Sequence, residues 1–421
     1  MEFWTLKDFN VSNSVVLLRV DINSPVDPET GEVLSDYRMR SHIDTISHLI
    51  ANDAKVVILA HQSRPGASDF TFLKEHSEIL SKYVGPIKYV DEIASSRVLK
   101  EIKDMKPGEA ILLENIRFCS EEMVLENAPI DKQKRALYVR RLSSIATFYI
   151  NDAFAAAHRS QPSITAFPYL LPSAAGLLME NEINSLSKVL EIKANHKLAA
   201  LGGAKVDDSI KIAKRLLTEF DYKSIITGGL VGLAFLYARG IDIGKDNKRA
   251  LEKNVSNIKD VIETAKSLLK DFGDKIFMPI DVAVNKDGTR YEVEISKNTT
   301  IDDPALDIGL GTILEYKEII KKADVILFNG PFGAYEFPLF ALGTYELVNE
   351  IARSKAFKVA GGGHTVSVIE HLKMEGFFDH ISTGGGAMIS FIAGEALPAI
   401  KALEDSKRIF SKKVRTNNLL N

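Results

Sequence analysis

The chain has 421 residues, of which 45% are hydrophobic and 26% charged, and its formal net charge is −3. Domains usually hold roughly 100–200 residues, so two or three domains are expected, and the apolar content excludes a disordered chain. The slightly acidic pI, near 6.3, argues against a general nucleic-acid binder. The single cysteine, Cys119, excludes an internal disulfide framework and a multi-thiolate metal site. The first residues lack a secretory signal, and no apolar run reaches the roughly 20 residues of a membrane span, so we expect a cytoplasmic protein without a membrane partner.

Short apolar runs alternate along the chain with longer segments of helical period. The runs are rich in Val, Ile and Leu with little polar alternation, which is typical of strands buried on both faces of a parallel sheet. We predict strands at 14–20, 55–61, 110–116, 147–153, 197–203, 224–229, 275–284, 324–330, 357–363 and 380–386. Amphipathic segments predict helices at 131–145, 207–220 and 315–322. The alternation predicts an α/β fold with two similar-sized three-layer α/β/α domains and mostly parallel sheets.

A break in this pattern predicts the domain organisation. Pro168 and Pro172 interrupt the chain, and a long helical segment follows at 174–193. We predict an N-terminal domain at 1–170, a hinge helix at 171–193, a C-terminal domain at 194–395 and a C-terminal segment at 396–421. The basic stretch from Lys407 to Arg415 is expected to pack back on the N-terminal domain, with an interface as the alternative.

Polar and charged residues follow the predicted strands of the first half. Ligands bind at the carboxyl ends of strands in open parallel sheets, and arginine suits bidentate contacts with carboxylate and phosphate. Several arginines on one edge would repel one another unless an anion lay among them, so we predict a site for a small, multiply charged metabolite. Taken singly, each arginine is better explained as a solvated or ion-paired surface residue. The candidate residues are Arg38, Arg64, Arg117 and Arg159, with His61 as a further donor and Asp21 and Asn23 as hydroxyl ligands.

Glycines follow the predicted strands of the second half, at 202–203, 228–229, 361–363 and 384–386. Such turns let the backbone approach a phosphate, and a following helix N-terminus offers free N–H groups. Lys205 is predicted in the first turn of a helix, where a cation opposes the helix dipole. A bound polyphosphate would remove that conflict, and a solvated lysine is the alternative. The P-loop motif is absent, and DINSP rather than G-x-G-x-x-G follows the first strand.

Nine segments, in this order, resemble the phosphoglycerate kinase family from near residue 15 to Pro398. They are RVDINSPV, YRMR, HQSRP, LLENIRF, NDAFAAAHR, LGGAKV, FNGPFGAYE, GGGHT and STGGGA. The resemblance implies a phosphotransferase with a carboxyl group as acceptor. Members of this family transfer a phosphoryl group reversibly between 1,3-bisphosphoglycerate and ADP, giving 3-phosphoglycerate and ATP, and the transfer requires hinge closure and Mg²⁺.

The resemblance also implies the site residues. The implied phosphoglycerate ligands are Asp21, Asn23, Arg38, His61, Arg64, Arg117 and Arg159. The implied nucleotide ligands are Gly203, Lys205, Gly228, Gly229, Asn329, Glu336 (on the ribose), Gly361, Gly362, Gly363, His364, Thr365, Gly384 and Gly385. Arg38 and Lys205 are the implied catalytic residues.

Two positions depart from the commoner family pattern in a way similar to archaeal members. His364 stands where Asp usually lies near magnesium, and histidine is a poor magnesium ligand. Two alternatives therefore remain for the magnesium ligands: phosphate oxygens together with water, or another carboxylate of the chain. Ser209 stands where the family often has a second lysine, and the sequence does not show which group takes over from that lysine.

Further choices stay open at this point. The protein is a monomer or a homodimer. Most of the nine histidines (His42, His48, His76, His196 and His371) are interpreted as helix or surface residues rather than ligands. The rival functions are an NAD-dependent two-domain dehydrogenase, which the missing dinucleotide motif disfavours, and a non-catalytic two-lobed anion-binding protein, which the paired arginine and glycine edges disfavour.

Overall fold

The computed structural model describes residues 2–416 and divides into two units. The first unit runs from the amino terminus to Ile183 and takes in the chain from Ala396 onward, while the second comprises Asn184–Glu395. Residues 417–421, the end of the predicted C-terminal segment, lie outside the described residues, as do the side chains at 413, 415 and 416.

The first unit is built on a seven-stranded parallel sheet. Its strands are Trp4–Thr5 (β1), Val15–Arg19 (β2), Lys55–Leu59 (β3), Ile87–Val90 (β4), Ala110–Leu113 (β5), Phe148–Asn151 (β6) and Ser173–Ala175 (β7). Their spatial order is β1-β7-β6-β2-β3-β5-β4. The four strands predicted in this half are confirmed, and each is shorter than predicted. The short strands β1, β4 and β7 gave no apolar run long enough to predict.

Apolar side chains from this sheet enter two separate cores, one on each face. Alternate residues of a strand point to opposite faces, so Val16 and Leu18 join one core while Leu17 joins the other. Both faces are therefore covered by helices, as the missing polar alternation predicts. The helices are Tyr37–Arg40 (α1), Ile43–Ala51 (α2), Lys74–Val84 (α3), Ser96–Asp104 (α4), Ser120–Val124 (α5), Ile130–Gln133 (α6), Leu137–Ser143 (α7) and Pro162–Thr165 (α8), with 3₁₀ turns at Leu6–Asp8, Ile116–Phe118, Phe154–Ala156 and Phe167–Tyr169.

The single helix predicted at 131–145 is wrong, because the segment forms α6 and α7 with a break between them. The backbone N–H of Leu137 donates to the Glu121 carboxylate at 2.8 and 3.1 Å, and this bond caps a new helix. The amphipathic period continues across the break, so the sequence pattern did not reveal it.

A long helix, Leu177–Glu191 (α9), begins in the first unit and ends in the second. At its start, the N–H groups of Leu178 and Met179 donate to Oδ1 of Asp152 at 2.9 and 3.3 Å. Near its end, Nζ of Lys197 donates to the carbonyl of Leu190 at 2.7 Å. Each end is thus tied to the unit that holds it. The helical pattern predicted a start at 174, three residues early, because 173–175 pair with the sheet instead.

The second unit contains a six-stranded parallel sheet and a separate antiparallel sheet of three strands. Its strands are Lys197–Leu201 (β8), Ser224–Thr227 (β9), Ile276–Phe277 (β10), Asp281–Lys286 (β11), Thr289–Glu294 (β12), Ala305–Ile308 (β13), Val325–Asn329 (β14), Phe357–Gly361 (β15) and His380–Ile381 (β16). The parallel order is β10-β9-β8-β14-β15-β16, and the antiparallel order is β12-β11-β13.

The strand predicted at 275–284 is wrong as one element, since β10 and β11 belong to different sheets. Pro279 lies between them and has no N–H for a ladder. The next two N–H groups, of Ile280 and Asp281, donate to Oγ1 of Thr312 at 3.0 and 3.1 Å. The strand predicted at 380–386 is likewise short, because the chain enters a helix at Gly385.

The helices of the second unit include the predicted one at 207–220, while the segment at 315–322 is the later part of a longer helix. They are Val206–Glu219 (α10), Gly229–Ala238 (α11), Gly244–Asn254 (α12), Ile258–Phe272 (α13), Leu310–Lys321 (α14), Leu342–Arg353 (α15), Gly363–His371 (α16) and Gly385–Ala393 (α17), with 3₁₀ turns at Pro338–Phe340 and Glu375–Phe377.

The last helix, Pro398–Thr416 (α18), belongs to the first unit. Asp405 accepts a 2.6 Å hydrogen bond from the Tyr169 hydroxyl, and Ser406 donates to the carbonyl of Leu171 at 3.0 Å. Val414 is buried in one of the two cores of that unit. Within residues 2–416, no single helix is long and apolar enough to cross a bilayer, although the successive helices α17 and α18 together have the length and composition for it.

Candidate active site

Asp21 and Arg38 form an ion pair just beyond the carboxyl end of β2. Nη1 of Arg38, in α1, lies 3.0 Å from Oδ2 of Asp21, which is buried while Arg38 is about one third exposed. The N–H of Asn23 donates to the other carboxylate oxygen at 3.1 Å. Burial alone would raise the pKa of Asp21, but nearby positive charge, that of Arg38 first, holds it well below its usual range. Asp21 therefore stays ionised and orients Arg38.

The turns after β2 and β3 are fastened to each other by side-chain amides. Oδ1 of Asn23 accepts from the N–H of Ser63 at 2.7 Å. Gln62, which the sequence did not single out, accepts from the N–H of Ser24 at 3.0 Å and donates to its carbonyl at 2.8 Å. Arg64 follows this turn and is exposed. These bonds fix Asn23 and the backbone that carries Arg64.

Arg117 lies after β5 with one donor unused. Its terminal nitrogens donate to the carbonyl of Ser63 and, at 3.4 Å, to Gln161. Its Nε is buried and has no hydrogen-bond partner among residues 2–416. Burial, then the charges of Arg159 and Arg19, lower the pKa of Arg117 to about 10. A buried donor without an acceptor, inside a cluster of like charges, is costly unless an anion binds there.

His61 completes the cluster at the end of β3. Burial lowers the pKa of His61 well below its usual range; the charge of Asp21 opposes this shift, and those of Arg19, Arg117 and Arg159 reinforce it. The imidazole is therefore neutral at pH 7. The first unit thus brings together five of the predicted residues (Asp21, Arg38, His61, Arg117 and Arg159), with Asn23 beside them and Arg64 on the exposed rim.

The interpretation of His42 as a helix or surface residue is wrong. His42 is 1% exposed, and its Nδ1 lies 2.7 Å from Oδ2 of the buried Asp152. Its Nε2 lies 3.1 Å from the N–H of Asp21. A polar cluster at the sheet edge holds the imidazole, which an amphipathic pattern does not reveal. His42 therefore fixes the backbone of Asp21 through a hydrogen bond to its N–H.

In the second unit, the glycine turns pack directly on one another. The N–H of Gly203 donates to the carbonyl of Pro331 at 2.7 Å, and that of Gly229 donates to Phe332 at 3.1 Å. A β-carbon on Gly228 would lie 2.2 Å from the Phe332 ring. One on Gly361 would lie 1.9 Å from the Met388 sulfur. These glycines thus have a packing reason as well as the predicted phosphate-binding one.

The turn after β15 has both an unusual backbone and open space. Gly362 has φ +91°, and a β-carbon there would lie 2.8 Å from Oδ1 of Asn329. Oγ1 of Thr365 accepts from the N–H of Gly330 at 2.7 Å, which fastens the turns after β14 and β15 together. Apart from its chain neighbours and the backbone of its own helix, no heavy atom of residues 2–416 lies within 4 Å of a β-carbon on Gly363. This turn leaves room for a bound group at the start of α16.

Four helices of the second unit (α10, α11, α16 and α17) begin at the carboxyl ends of β8, β9, β15 and β16 and direct N–H groups to that edge. Gly384 precedes α17, and a β-carbon on Gly385 would lie 3.9 Å from the N–H of Gly363. Lys205, predicted in the first turn of α10, is instead the exposed residue immediately before it.

Three further positions complete the predicted nucleotide set and its departures. His364 is exposed, and its ring centroid lies 6.1 Å from that of Tyr335. Glu336 follows Tyr335 and is exposed. Ser209 is fully buried, and its Oγ has no partner among the described residues, so it presents no side chain to the exposed edge.

Sequence reasoning missed four residues that support the first edge: Arg19, His42, Gln62 and Asp152. Arg19 carried one signal, since it is a charged residue inside an otherwise apolar run. The other three carried none that separates them from surface polar residues. Among residues 2–416, no three His, Cys, Asp or Glu side chains lie close enough together to hold a metal ion.

Comparison with known proteins gives consistent matches along the chain. The sequence model of a family described as phosphoglycerate kinase matches residues 6–395. The phosphoglycerate kinase of Methanothermus fervidus is 47% identical over 97% of this chain and 98% of its own. A crystal structure of phosphoglycerate kinase from Pyrococcus horikoshii OT3 superimposes with a TM-score of 0.87 at 40% identity, covering 97% of this chain and all of that one. The structure of phosphoglycerate kinase from Coxiella burnetii superimposes with a TM-score of 0.77 at 28% identity, covering 96% of this chain and 99% of that one.

Proposed function

We propose how this chain, which belongs to the phosphoglycerate kinase family, divides its reaction between two sheet edges. The reaction is the reversible transfer of a phosphoryl group between 1,3-bisphosphoglycerate and ADP, giving 3-phosphoglycerate and ATP. Neither a dehydrogenase nor a non-catalytic binding protein is favoured by the family match.

The acid substrate is assigned to the edge of the first unit. The observation that carries this assignment is the buried Nε of Arg117, which has no acceptor among the described residues and lies in a group of like charges. A carboxylate or phosphate oxygen would both fill that donor and offset the repulsion. The remaining ligands would be Asp21, Asn23, Arg38, His61, Arg64 and Arg159.

The nucleotide is assigned to the glycine edge of the second unit. Open space at Gly363, together with four helix N-termini, supports phosphate binding there. Lys205 would contact the phosphates, and the exposed Glu336 would bind the ribose. The other ligands would be Gly203, Gly228, Gly229, Asn329, Gly361, Gly362, His364, Thr365, Gly384 and Gly385.

The transfer itself requires the attacking and leaving oxygens in line, with charge neutralised and water excluded. Because the two substrates are assigned to different units, we propose that the units close when both are bound. Arg38, oriented by Asp21, would then stabilise the equatorial oxygens of the moving phosphoryl group. No general base is needed, because the attacking carboxylate or ADP phosphate is already an anion.

Magnesium is assigned to the nucleotide rather than to a protein cage. Three ligating side chains do not converge anywhere in residues 2–416, and magnesium prefers oxygen ligands and keeps several waters. We propose that the ion arrives with ADP or ATP, held by phosphate oxygens and water. A change in magnesium dependence in His364→Ala would assign His364 to this site, and an unchanged dependence would assign it to structure. We further propose a cytoplasmic location.

The test is ATP formation from 1,3-bisphosphoglycerate and ADP in a coupled assay, with magnesium varied. Arg117→Gln should raise KM for the acid substrate at least tenfold and leave KM for the nucleotide within about twofold. Arg140→Gln, an exposed arginine of the same unit, is the matched control and should match the unaltered protein. Equal rises in both KM values for Arg117→Gln would reject the division of substrates.

A further inference from the structure

A buried arginine stands behind the acid-substrate edge. Arg19, the last residue of β2, is fully buried and is among the largest side chains in the molecule with no exposure. A buried charge is tolerated only when its donors are satisfied and an opposite charge lies near. Its hydrogen bonds therefore show what the residue does.

One side of the guanidinium is fixed by a buried hydrogen-bonded chain. Nε of Arg19 donates to Oγ of Ser163 at 3.0 Å, and that hydroxyl donates to Glu122 at 2.5 Å. Glu122 also accepts from the N–H of Ser163 at 3.0 Å and from the hydroxyl of Tyr138. One terminal nitrogen of Arg19 donates to the carbonyl of Val20. The arginine is thus held rigidly from behind.

The other terminal nitrogen of Arg19 faces the candidate site. Its Nη2 lies 3.1 Å from Nδ1 of His61. A guanidinium has donors and no acceptor, so Nδ1 of His61 must accept this bond. Burial and the surrounding arginines keep the imidazole neutral. A neutral imidazole that accepts at Nδ1 carries its proton on Nε2.

We propose that Arg19 is a positioning residue that holds His61 as the neutral Nε2–H tautomer. His61 then offers the acid substrate a donor without adding a further charge to the arginine cluster. This consequence rests on the proposed function, whereas the tautomer itself does not. With the other tautomer, Nε2 would present a lone pair to an anion and repel it.

The test is nitrogen NMR of the full-length protein labelled with ¹⁵N-histidine, at neutral pH without substrate. The His61 signals are identified by their loss in His61→Gln. The proposal expects a protonated Nε2 and an unprotonated Nδ1. An Nδ1–H tautomer or an imidazolium in the unaltered protein would overturn it, and this result needs no Arg19 variant to fold.

Two variants separate positioning from a structural role. Arg19→Met should give mixed tautomers or an imidazolium, and Arg19→Lys, which keeps a donor, should restore the Nε2–H form. KM for 3-phosphoglycerate should rise about tenfold in Arg19→Met with KM for ATP unchanged, and the double variant with His61→Gln should be no worse than His61→Gln alone. An unchanged tautomer in Arg19→Met, or additive losses, would overturn the proposal.

Titration with 3-phosphoglycerate distinguishes this inference from the proposed function. A shift of the Nε2–H signal on saturation supports both. If the tautomer is as proposed but the signal does not move, the assignment of the acid substrate to this edge fails and the role of Arg19 stands.

Discussion

Replacing His42 with alanine tests the buried support beneath the arginine edge. The imidazole joins two groups that have almost no access to water: the Asp152 carboxylate, 2.7 Å from Nδ1, and the N–H of Asp21, 3.1 Å from Nε2. Alanine removes both bonds at once, although Asp152 keeps two backbone donors from α9.

The cost follows from these contacts. Leaving a buried N–H unsatisfied costs about 1–3 kcal/mol, and a hydrogen bond to a charged group contributes about 1.5–3 kcal/mol. Because Asp152 keeps other donors, we place the loss near the lower end, at about 3 kcal/mol of unfolding free energy. Exposed substitutions usually change it by less than about 0.5 kcal/mol.

The assay uses the only tryptophan in the chain. Trp4 is buried in the first unit, with its ring centroid 5.3 Å from that of Phe9, so its fluorescence reports the unfolding of that unit in urea. His48→Ala, on α2 and partly exposed, is the matched control. A loss below about 1 kcal/mol for His42→Ala, or an equal loss in the control, would refute the reasoning.

Three further outcomes are expected. Gly362→Ala should raise KM for ADP about tenfold, because the positive φ of this position disfavours alanine and the new methyl group would meet Asn329. The control is Gly240→Ala, which has a similar φ of +94° but nothing within 4 Å of the new methyl group, and it should leave KM for ADP unchanged. Similar effects of the two variants on KM would show that backbone strain alone matters. Arg38→Ala should lower kcat by about 10³-fold or more with Trp4 fluorescence unchanged, and near-normal turnover would reject its catalytic role. Burial lowers the pKa of His76 to about 4, so the unfolded chain binds the proton first and the first unit should lose stability as pH falls from 6.5 toward 4. His76→Leu should reduce this loss of unfolding free energy by about 3 kcal/mol. Urea titrations in which the variant loses as much stability with falling pH as the unaltered protein would contradict the prediction.

The parallel strands were predictable because both faces of each sheet are buried. Residues such as Val16 and Leu17 enter different cores, so their strand reads as a continuous apolar run. The antiparallel sheet was not predictable from that signal, because β12 is largely exposed and only half of the residues of β13 are buried. Local sequence patterns therefore reveal strands with two buried faces and miss strands that are short or largely exposed.

The candidate site shows the same limit. Most of the arginines and glycines follow strand ends or begin helices, so the rule that ligands bind at the carboxyl ends of parallel strands predicts that they share an edge. Residues that act through others carry no such mark, since His42 and Arg19 depend on partners more than 40 residues away in the chain. Only the fold makes those pairs visible.

The division of the two substrates between the units is measured most directly by hydrogen exchange with one ligand at a time. With 3-phosphoglycerate alone, amides at 21–24, 61–64 and 115–118 should gain protection while the second unit stays unchanged. With the magnesium–ADP complex alone, protection should appear at 202–206, 228–232 and 361–366 and be absent from the first unit. Protection of one and the same unit by both ligands would contradict the account.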